Sequence, residues 1–170
     1  MLIALVLVAA LPFLGPAQDL VPGTRYDPSI PTLTEVVGHD FGEEITPPDQ
    51  VIRYMEALAA AAPARTHLFQ YAESWEGRPL VVMVIGSPER IAALDGVKAD
   101  LARLADPRGL SEAEAAEILA RVPVVTALMH GVHGNEISSS GAAVAEADHL
   151  LAAQGKSAVH LVLASRKTTR

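Results

Sequence analysis

The spacing of apolar residues predicts a helix early in the chain. Apolar side chains recur at helical intervals from Val51 to Ala59, as expected of a helix that buries one face. Thr46 is placed to act as the N-cap, and Pro47 to occupy the first helical position. Pro63 disfavours helical backbone in the residue before it, so we expect the helix to end there.

Continuous apolar runs predict strands. Residues 67–73 and 80–85 are the first two candidates, and the second belongs to the run LVVMVIG, which is typical of a strand covered on both faces. The connection SWEGRP places Gly77 and Pro79 at turn positions and favours a hairpin. Residues 124–129, VVTALM, predict a further buried strand.

Capping signals predict two more helical regions. Ser87-Pro88-Glu89 opens the first, which we expect to break at Asp95-Gly96. Ser111 and Glu114 form the S-x-x-E pattern of a capping box, followed by a helix through about Arg121.

A polar, Gly-containing segment follows the strand predicted at 124–129. It is HGVHGNE, residues 130–136, and an Ala- and Leu-rich helix is expected next, from Ile137 to Gln154. The order strand, polar loop, helix is typical of an α/β protein, in which ligands bind at the carboxyl ends of strands. We therefore predict an α/β fold with a functional site in this loop.

Composition and charge exclude several kinds of function. The formal net charge is −7, and no basic stripe is present, so a nucleic-acid role has no electrostatic support. The chain has no Cys, which excludes disulfides, thiolate zinc sites and cysteine nucleophiles. A bound metal must therefore be held by His, Asp or Glu.

The first 17 residues predict an export signal. The run LIALVLVAALPFLGPA after Met1 has the length of a signal-peptide hydrophobic region and is short for a membrane span. Gly15 and Ala17 are small residues suitable for cleavage after position 17. Export would make the protein periplasmic or secreted, with no membrane attachment after cleavage. A buried N-terminal strand is the alternative.

The remaining chain divides into three parts. Residues 18–46 are rich in Pro and Gly and predict an extended N-terminal arm. Residues 47–154 form the predicted domain, and residues 155–170 form an atypical tail with basic residues and no acidic ones. This shift suggests a truncated chain with an altered ending. A genuine strand, VHLVLA, with a basic terminus is the alternative.

The segment HGVHGNE offers three candidate ligands. His130, His133 and Glu136 are spaced three apart, and catalytic zinc takes three protein ligands from His and carboxylates. Because two side chains at i and i+3 can converge on one ion from a turn, we expect one pair here and a third ligand from elsewhere. Gly131 and Gly134 allow sharp turns. The alternative is a polar loop in which Glu136 favours the helix N-terminus.

The segment PVVTALMHGVHGNEISSSGAA resembles the first metal-binding motif of the zinc metallocarboxypeptidases, the carboxypeptidase A/B-like family. The upstream YAESWEGRPLVVMVIG is similar to the early hairpin of that family, and together the resemblance covers about residues 45–154. It implies that His133 and Glu136 are zinc ligands. It also implies that the substrate is a peptide and that residues 47–154 are the N-terminal part of a mixed-sheet carboxypeptidase-like domain.

Two departures from the family pattern bear on activity. Asn135 stands where many members have a substrate-binding Arg, so the resemblance implies a substrate-binding position there but leaves substrate preference open. The third ligand His, the carboxylate-binding Arg and the general-base Glu of the family cannot be assigned in this chain. The expected parent activity is zinc-dependent carboxypeptidase, inactive in a truncated chain. The alternatives are a non-catalytic remnant, a weak metal-binding module, or an amidohydrolase or deacylase on the same fold.

The other histidines are poorer candidates for ligands. His39, His67 and His160 are isolated and are best explained as surface or satisfied core residues. His149 would lie about 19 Å from Glu136 along a straight helix. His130 is the local candidate for a third ligand or for a residue that supports one.

Trp75 and the serines at 138–140 are expected to have structural roles. Trp75, in the hairpin turn, is expected to be a packing residue. The serines at 138–140 lack a G-x-S-x-G context and are expected to cap or line the start of the helix.

Overall fold

The computed structural model describes residues 21–155 and contains helices and two small antiparallel sheets. The predicted N-terminal export signal and most of the tail lie outside these residues. Along the described chain the elements are β1 (Arg25–Tyr26), α1 (Leu33–Val37), α2 (Pro48–Ala61), β2 (Thr66–Glu73), β3 (Pro79–Ile85), α3 (Pro88–Ala92), α4 (Leu94–Ala105), α5 (Glu112–Arg121), α6 (Ser138–Ala152) and β4 (Ala153–Gln154).

The predicted hairpin is confirmed as β2 and β3. Its strands pair antiparallel from Thr66 opposite Ile85 to Glu73 opposite Pro79. The turn is closed by the Ser74 N–H, which donates to the Arg78 carbonyl at 2.8 Å, and Gly77 adopts a φ of 74°. A positive φ is readily adopted by Gly and rarely by other residues.

Two expectations about this hairpin are wrong. Residues of β3 are not covered on both faces, since Leu80 and Val82 are both exposed. Trp75 is not a packing residue, because its side chain is fully exposed at the turn, at 103%. Within residues 21–155 the hairpin pairs with no third strand, so apolar side chains on this small sheet remain open to solvent.

Helix α2 lies close to the predicted place but begins one residue later. Pro47 is the N-cap, with φ −70° and ψ 161°, and Pro48 is the first helical residue. A residue before proline is pushed toward extended backbone, which explains why Pro47 itself is not helical. Thr46 is buried and forms no capping bond. The helix ends at Ala61, close to Pro63 as predicted.

The N-terminal arm contains more structure than its Pro and Gly content predicts. Helix α1 begins with a complete capping box. In this motif the Thr32 hydroxyl accepts from the Glu35 N–H, and the Glu35 carboxylate accepts from the Thr32 N–H. Gly38 ends the helix with a φ of 97°. This short motif supplies Leu33 to the core.

The next two helical predictions have different outcomes. The helical region after Ser87 breaks at Ala93, between α3 and α4, and not at Asp95-Gly96. Helix α5 is confirmed: the Ser111 hydroxyl accepts from the Glu114 N–H at 3.2 Å, and the helix ends at Arg121.

The predicted strand at residues 124–129 is absent. These residues have no strand pairing in the described chain, and Val125 and Met129 are 63% and 80% exposed. A strand requires a neighbour to receive its backbone hydrogen bonds, and the described chain places none beside this segment. Helix α6, by contrast, follows within two residues of its predicted start.

The main core lies between α2 and α6. Tyr54 and Leu58 of α2 and Val144 and Leu151 of α6 are almost fully buried, with Leu33 of α1 beside them. Buried apolar side chains of this kind provide most of the stability of a helix pair.

Polar contacts attach other parts of the chain to α6. Arg65 donates from its guanidinium to the carbonyls of Leu150 and Leu151, at 2.9 and 2.8 Å. Strands β1 and β4 pair antiparallel, Arg25 with Gln154 and Tyr26 with Ala153. The C-terminal end of α6 is therefore fixed, and its N-terminal end carries the predicted site.

A buried carboxyl group joins α6 to the rest of the core. The Tyr54 hydroxyl lies 2.8 Å from Asp148 Oδ1 and 3.1 Å from the Pro31 carbonyl oxygen. Burial raises the pKa of Asp148 above its usual range, and burial together with the nearby Asp148 charge raises the pKa of Tyr54.

The Tyr54 hydroxyl faces two acceptors, Asp148 Oδ1 and the Pro31 carbonyl oxygen. One hydroxyl proton cannot serve two acceptors fully. A protonated Asp148 would donate to the Tyr54 oxygen, and the Tyr54 proton would then be available to the Pro31 carbonyl.

Among residues 21–155, no helix has the length and apolar character needed to span a bilayer.

Candidate metal centre

Two consecutive turns shape the segment that carries the predicted ligands. We call residues 131–137 the ligand loop. Gly131 opens it with a φ of 72°. The Glu136 N–H then donates to the His133 carbonyl at 3.1 Å, and the Ser139 N–H donates to the Glu136 carbonyl at 3.0 Å. These local bonds lead the chain directly into α6.

The ligand loop brings His133 and Glu136 together. Nδ1 of His133 lies 3.0 Å from Oε1 of Glu136, and the two side chains are 67% and 55% exposed. In this contact the imidazole Nδ1–H donates to the carboxylate. The i, i+3 spacing identified in the sequence therefore produces two adjacent donor atoms on an accessible surface.

The geometry of this pair fits two ligands of one zinc ion. Zinc binds His nitrogen and carboxylate oxygen at about 2.0–2.2 Å, which in a tetrahedral site separates the ligand atoms by about 3.3–3.6 Å. The observed separation of 3.0 Å requires only a small adjustment. An imidazole nitrogen and a carboxylate oxygen are also donors that zinc accepts.

The structure does not provide a third local ligand. Within residues 21–155 there is no group of three His, Cys, Asp or Glu side chains that could hold a metal ion. His130 does not join the pair: its Nε2 lies 3.1 Å from Oε2 of Glu146 in α6. The possibility that His130 is a third ligand therefore has no support in this geometry.

Asn135 lies between the two candidate ligands and is exposed on the ligand loop. His133 and Glu136 are exposed as well. Its predicted contact with substrate stays a prediction.

The isolated histidines have structural surroundings. His39 is buried and bonded to the Asp40 carbonyl and to Gln50 Oε1, at 3.2 and 3.0 Å, which confirms a satisfied core residue. The ring of His67 lies 5.4 Å from that of Phe69. Nδ1 of His149 lies 2.9 Å from the Tyr26 hydroxyl, at the far end of α6. His160 lies outside the described residues.

Two residues of α6 that were not predicted as part of the site form hydrogen bonds with the residues where the ligand loop begins. The Ser139 hydroxyl accepts from the Gly131 N–H at 2.6 Å, and Glu146 contacts His130 as described above. The interpretation that the serines line the helix start holds for Ser139. Nothing in the sequence pattern distinguished Glu146, because its partner lies sixteen residues away.

Comparison with known proteins identifies a family. The family model described as zinc carboxypeptidase matches residues 51–166, which is well over half of the chain. No curated protein and no solved structure matches the chain. The mixture of helices and small antiparallel sheets is compatible with part of an α/β domain of this family, so the predicted fold class is confirmed.

Proposed function

Because the chain belongs to the zinc carboxypeptidase family, we propose that its parent activity is zinc-dependent removal of C-terminal residues from peptides. His133 and Glu136 are the proposed protein ligands of the zinc ion. The observation that carries this proposal is the 3.0 Å approach of Nδ1 of His133 to Oε1 of Glu136 on an exposed loop.

The chemistry of the two side chains supports this role. A bound zinc ion would polarise the scissile carbonyl and lower the pKa of a water molecule. Because protons compete with zinc for imidazole and carboxylate ligands, zinc affinity should fall as the medium becomes acidic. The general base and the third ligand have no assigned residues in this chain.

Asn135 is the proposed substrate-contacting residue of the ligand loop. A neutral amide can donate and accept hydrogen bonds, but it lacks the charge with which Arg holds a carboxylate. We therefore expect weaker discrimination for a free substrate carboxylate at this position. A comparison of peptides with free and amidated C-termini tests this expectation.

The decisive experiment is a zinc titration of the full chain, with a competing chromophoric chelator as the readout. Wild type should bind one zinc ion, and His133→Ala and Glu136→Gln should each weaken binding at least about tenfold. His67→Ala is the matched control, since His67 is a histidine on the hairpin with no role in the pair. Equal zinc affinity in His133→Ala and wild type would remove the proposal.

A second candidate function is a metal-binding module without turnover. The observation that favours it is the lack of a third donor group among residues 21–155. Zinc binding that depends on His133, with no hydrolysis of any peptide, amide or acyl substrate, would favour this module. Hydrolysis of acylated amines without peptide hydrolysis would instead indicate a deacylase on the same fold.

We also propose that the protein is exported and that residues 1–17 are removed. The support is the apolar N-terminal run with small residues before position 18. N-terminal sequencing of the mature protein should begin at Gln18 in the periplasm or medium. Cytoplasmic protein that still begins at Met1 would contradict export.

A further inference from the structure

One residue of α6 joins both ends of the ligand loop. The Ser139 hydroxyl accepts from the Gly131 N–H at 2.6 Å, where the loop begins. The backbone N–H of the same residue donates to the Glu136 carbonyl at 3.0 Å, where the loop ends. These two hydrogen bonds close the segment 131–139 into a ring, and His133 and Glu136 are part of that segment.

A second contact attaches His130, the residue before the ligand loop, to the same face of α6. His130 lies 3.1 Å from Glu146, and Glu146 follows Ser139 by seven positions. Residues seven apart share one face of a helix, about two turns from each other. Positions 130 and 131 are therefore attached to one face of α6 at two separate points.

We propose that Ser139 is a positioning residue for the zinc ligands, an inference that rests on the proposed function. Ser139 touches neither donor atom, but it restricts the backbone on both sides of them. Since both ligand side chains are exposed, surrounding packing does little to hold them, and closure of the ring takes its place. A site that is already ordered loses less conformational entropy when it binds a ligand.

The neighbouring serines provide matched controls. Ser138 and Ser140 have the same side chain and flank Ser139 in the first turn of α6. Neither side chain forms a hydrogen bond with another residue of the range 21–155, whereas that of Ser139 does. Removal of a hydroxyl at each position therefore separates ring closure from a general effect on the helix start.

The test measures the zinc affinity of the full chain and its apo thermal midpoint in the same samples. Ser139→Ala should weaken zinc binding on the order of tenfold, the lower end of the range for residues that orient ligands. Ser138→Ala and Ser140→Ala should stay within about twofold of wild type. Ser139→Thr keeps the hydroxyl and should restore most of the affinity.

A separate variant examines the second attachment point. Glu146→Gln keeps the size of the side chain and removes its charge, so a smaller loss of zinc affinity is expected than for Ser139→Ala. Circular dichroism and the apo midpoint should be unchanged in all variants, because each substituted side chain is at least partly exposed. Loss of affinity that simply follows loss of apo stability would contradict a positioning role.

The possible outcomes separate this inference from the proposed function. If wild type binds zinc through His133 but Ser139→Ala behaves like Ser140→Ala, the positioning role is wrong and the ligand assignment stands. If wild type does not bind zinc, or His133→Ala binds it equally well, the ligand assignment fails and the positioning role fails with it.

Discussion

The α2–α6 core and the stretch from residue 123 to the end of the ligand loop differ in what fixes their structure. In the core, Tyr54, Leu58 and Val144 are fully buried and contact residues distant in the sequence. In the stretch 123–137, Val125 and Met129 are exposed, and the ligand pair forms through local turns and the bonds to α6. Stability is therefore concentrated in one region and the proposed chemistry in the other.

The largest expected effect comes from a cavity in the core. Leu58→Ala removes a side chain that is fully buried between the helices, and such changes cost about 2–5 kcal/mol in the free energy of unfolding. Urea denaturation followed by far-UV circular dichroism measures the loss. Leu128→Ala is the control, because Leu128 is exposed in the other region, and its effect should stay within about 0.5 kcal/mol. Equal losses in the two variants would remove the distinction between the regions.

A smaller effect is expected at the polar contact inside the core. Tyr54→Phe removes the hydroxyl that lies between Asp148 and the Pro31 carbonyl, which leaves the buried Asp148 carboxyl without this partner. A buried polar group left unsatisfied costs about 1–3 kcal/mol, so the urea midpoint should fall. Tyr71→Phe on the exposed hairpin should leave it unchanged. A loss as small as that of Tyr71→Phe would show that water replaces the missing hydroxyl.

The pH dependence of the core should follow from Asp148. Burial raises the pKa of this carboxyl in the folded state above its usual value of 3.8, and the Asp40 charge acts in the same direction, while Tyr54 and His149 oppose it. Since the folded state holds the proton more tightly, the contribution is fully present below about pH 3.8 and is lost as the pH rises through the folded pKa.

Asp148→Asn isolates this contribution. An amide cannot ionise, and its NH₂ group can donate to Tyr54 as a protonated acid would. Unfolding free energies measured from pH 4 to pH 8 should decline less in the variant than in wild type, and the variant should be the more stable at neutral pH. Asp95→Asn, at an exposed carboxylate, should leave the wild-type decline unchanged. A variant whose unfolding free energy declines as steeply with pH as that of wild type would contradict a raised pKa of Asp148 in the folded state.

The same division explains which predictions succeeded. The hairpin and α5 depend on signals close in the sequence, Gly77 in the turn and Ser111 at the cap, and both were predicted correctly. The pairing of His133 with Glu136 is also local. The strand expected at 124–129 needs a neighbouring strand, and hydrophobicity alone does not supply one.

Contacts between distant residues account for the other differences. Ser139 and Glu146 hold the entrance of the ligand loop through partners eight and sixteen residues away, and a periodicity pattern does not contain such pairs. Thr46 lost its predicted capping role because Pro47 adopts extended backbone before Pro48. The restriction that Pro48 places on Pro47 is visible in the sequence, but the prediction followed the preference of Thr for the N-cap position instead.

The smallest effect on stability is expected at the ligand pair itself. His133→Ala removes an exposed side chain whose described partner is Glu136, and surface substitutions usually change stability by no more than about 0.5 kcal/mol. Without metal, the thermal midpoint of this variant should therefore match that of wild type.

Addition of zinc should then make wild type more stable than His133→Ala. A ligand that binds only the folded state stabilises it by RT ln(1 + [L]/Kd), about 2.7 kcal/mol at a hundredfold excess over Kd. Wild type should gain this stability in scanning calorimetry with zinc chloride, and His133→Ala should not. A gain that also appears in His133→Ala would place the zinc elsewhere, whereas a large apo destabilisation would show that the ligand loop supports the core. Because the ligand pair is exposed and formed by local turns, we expect neither, and zinc affinity should vary independently of folding stability in this chain.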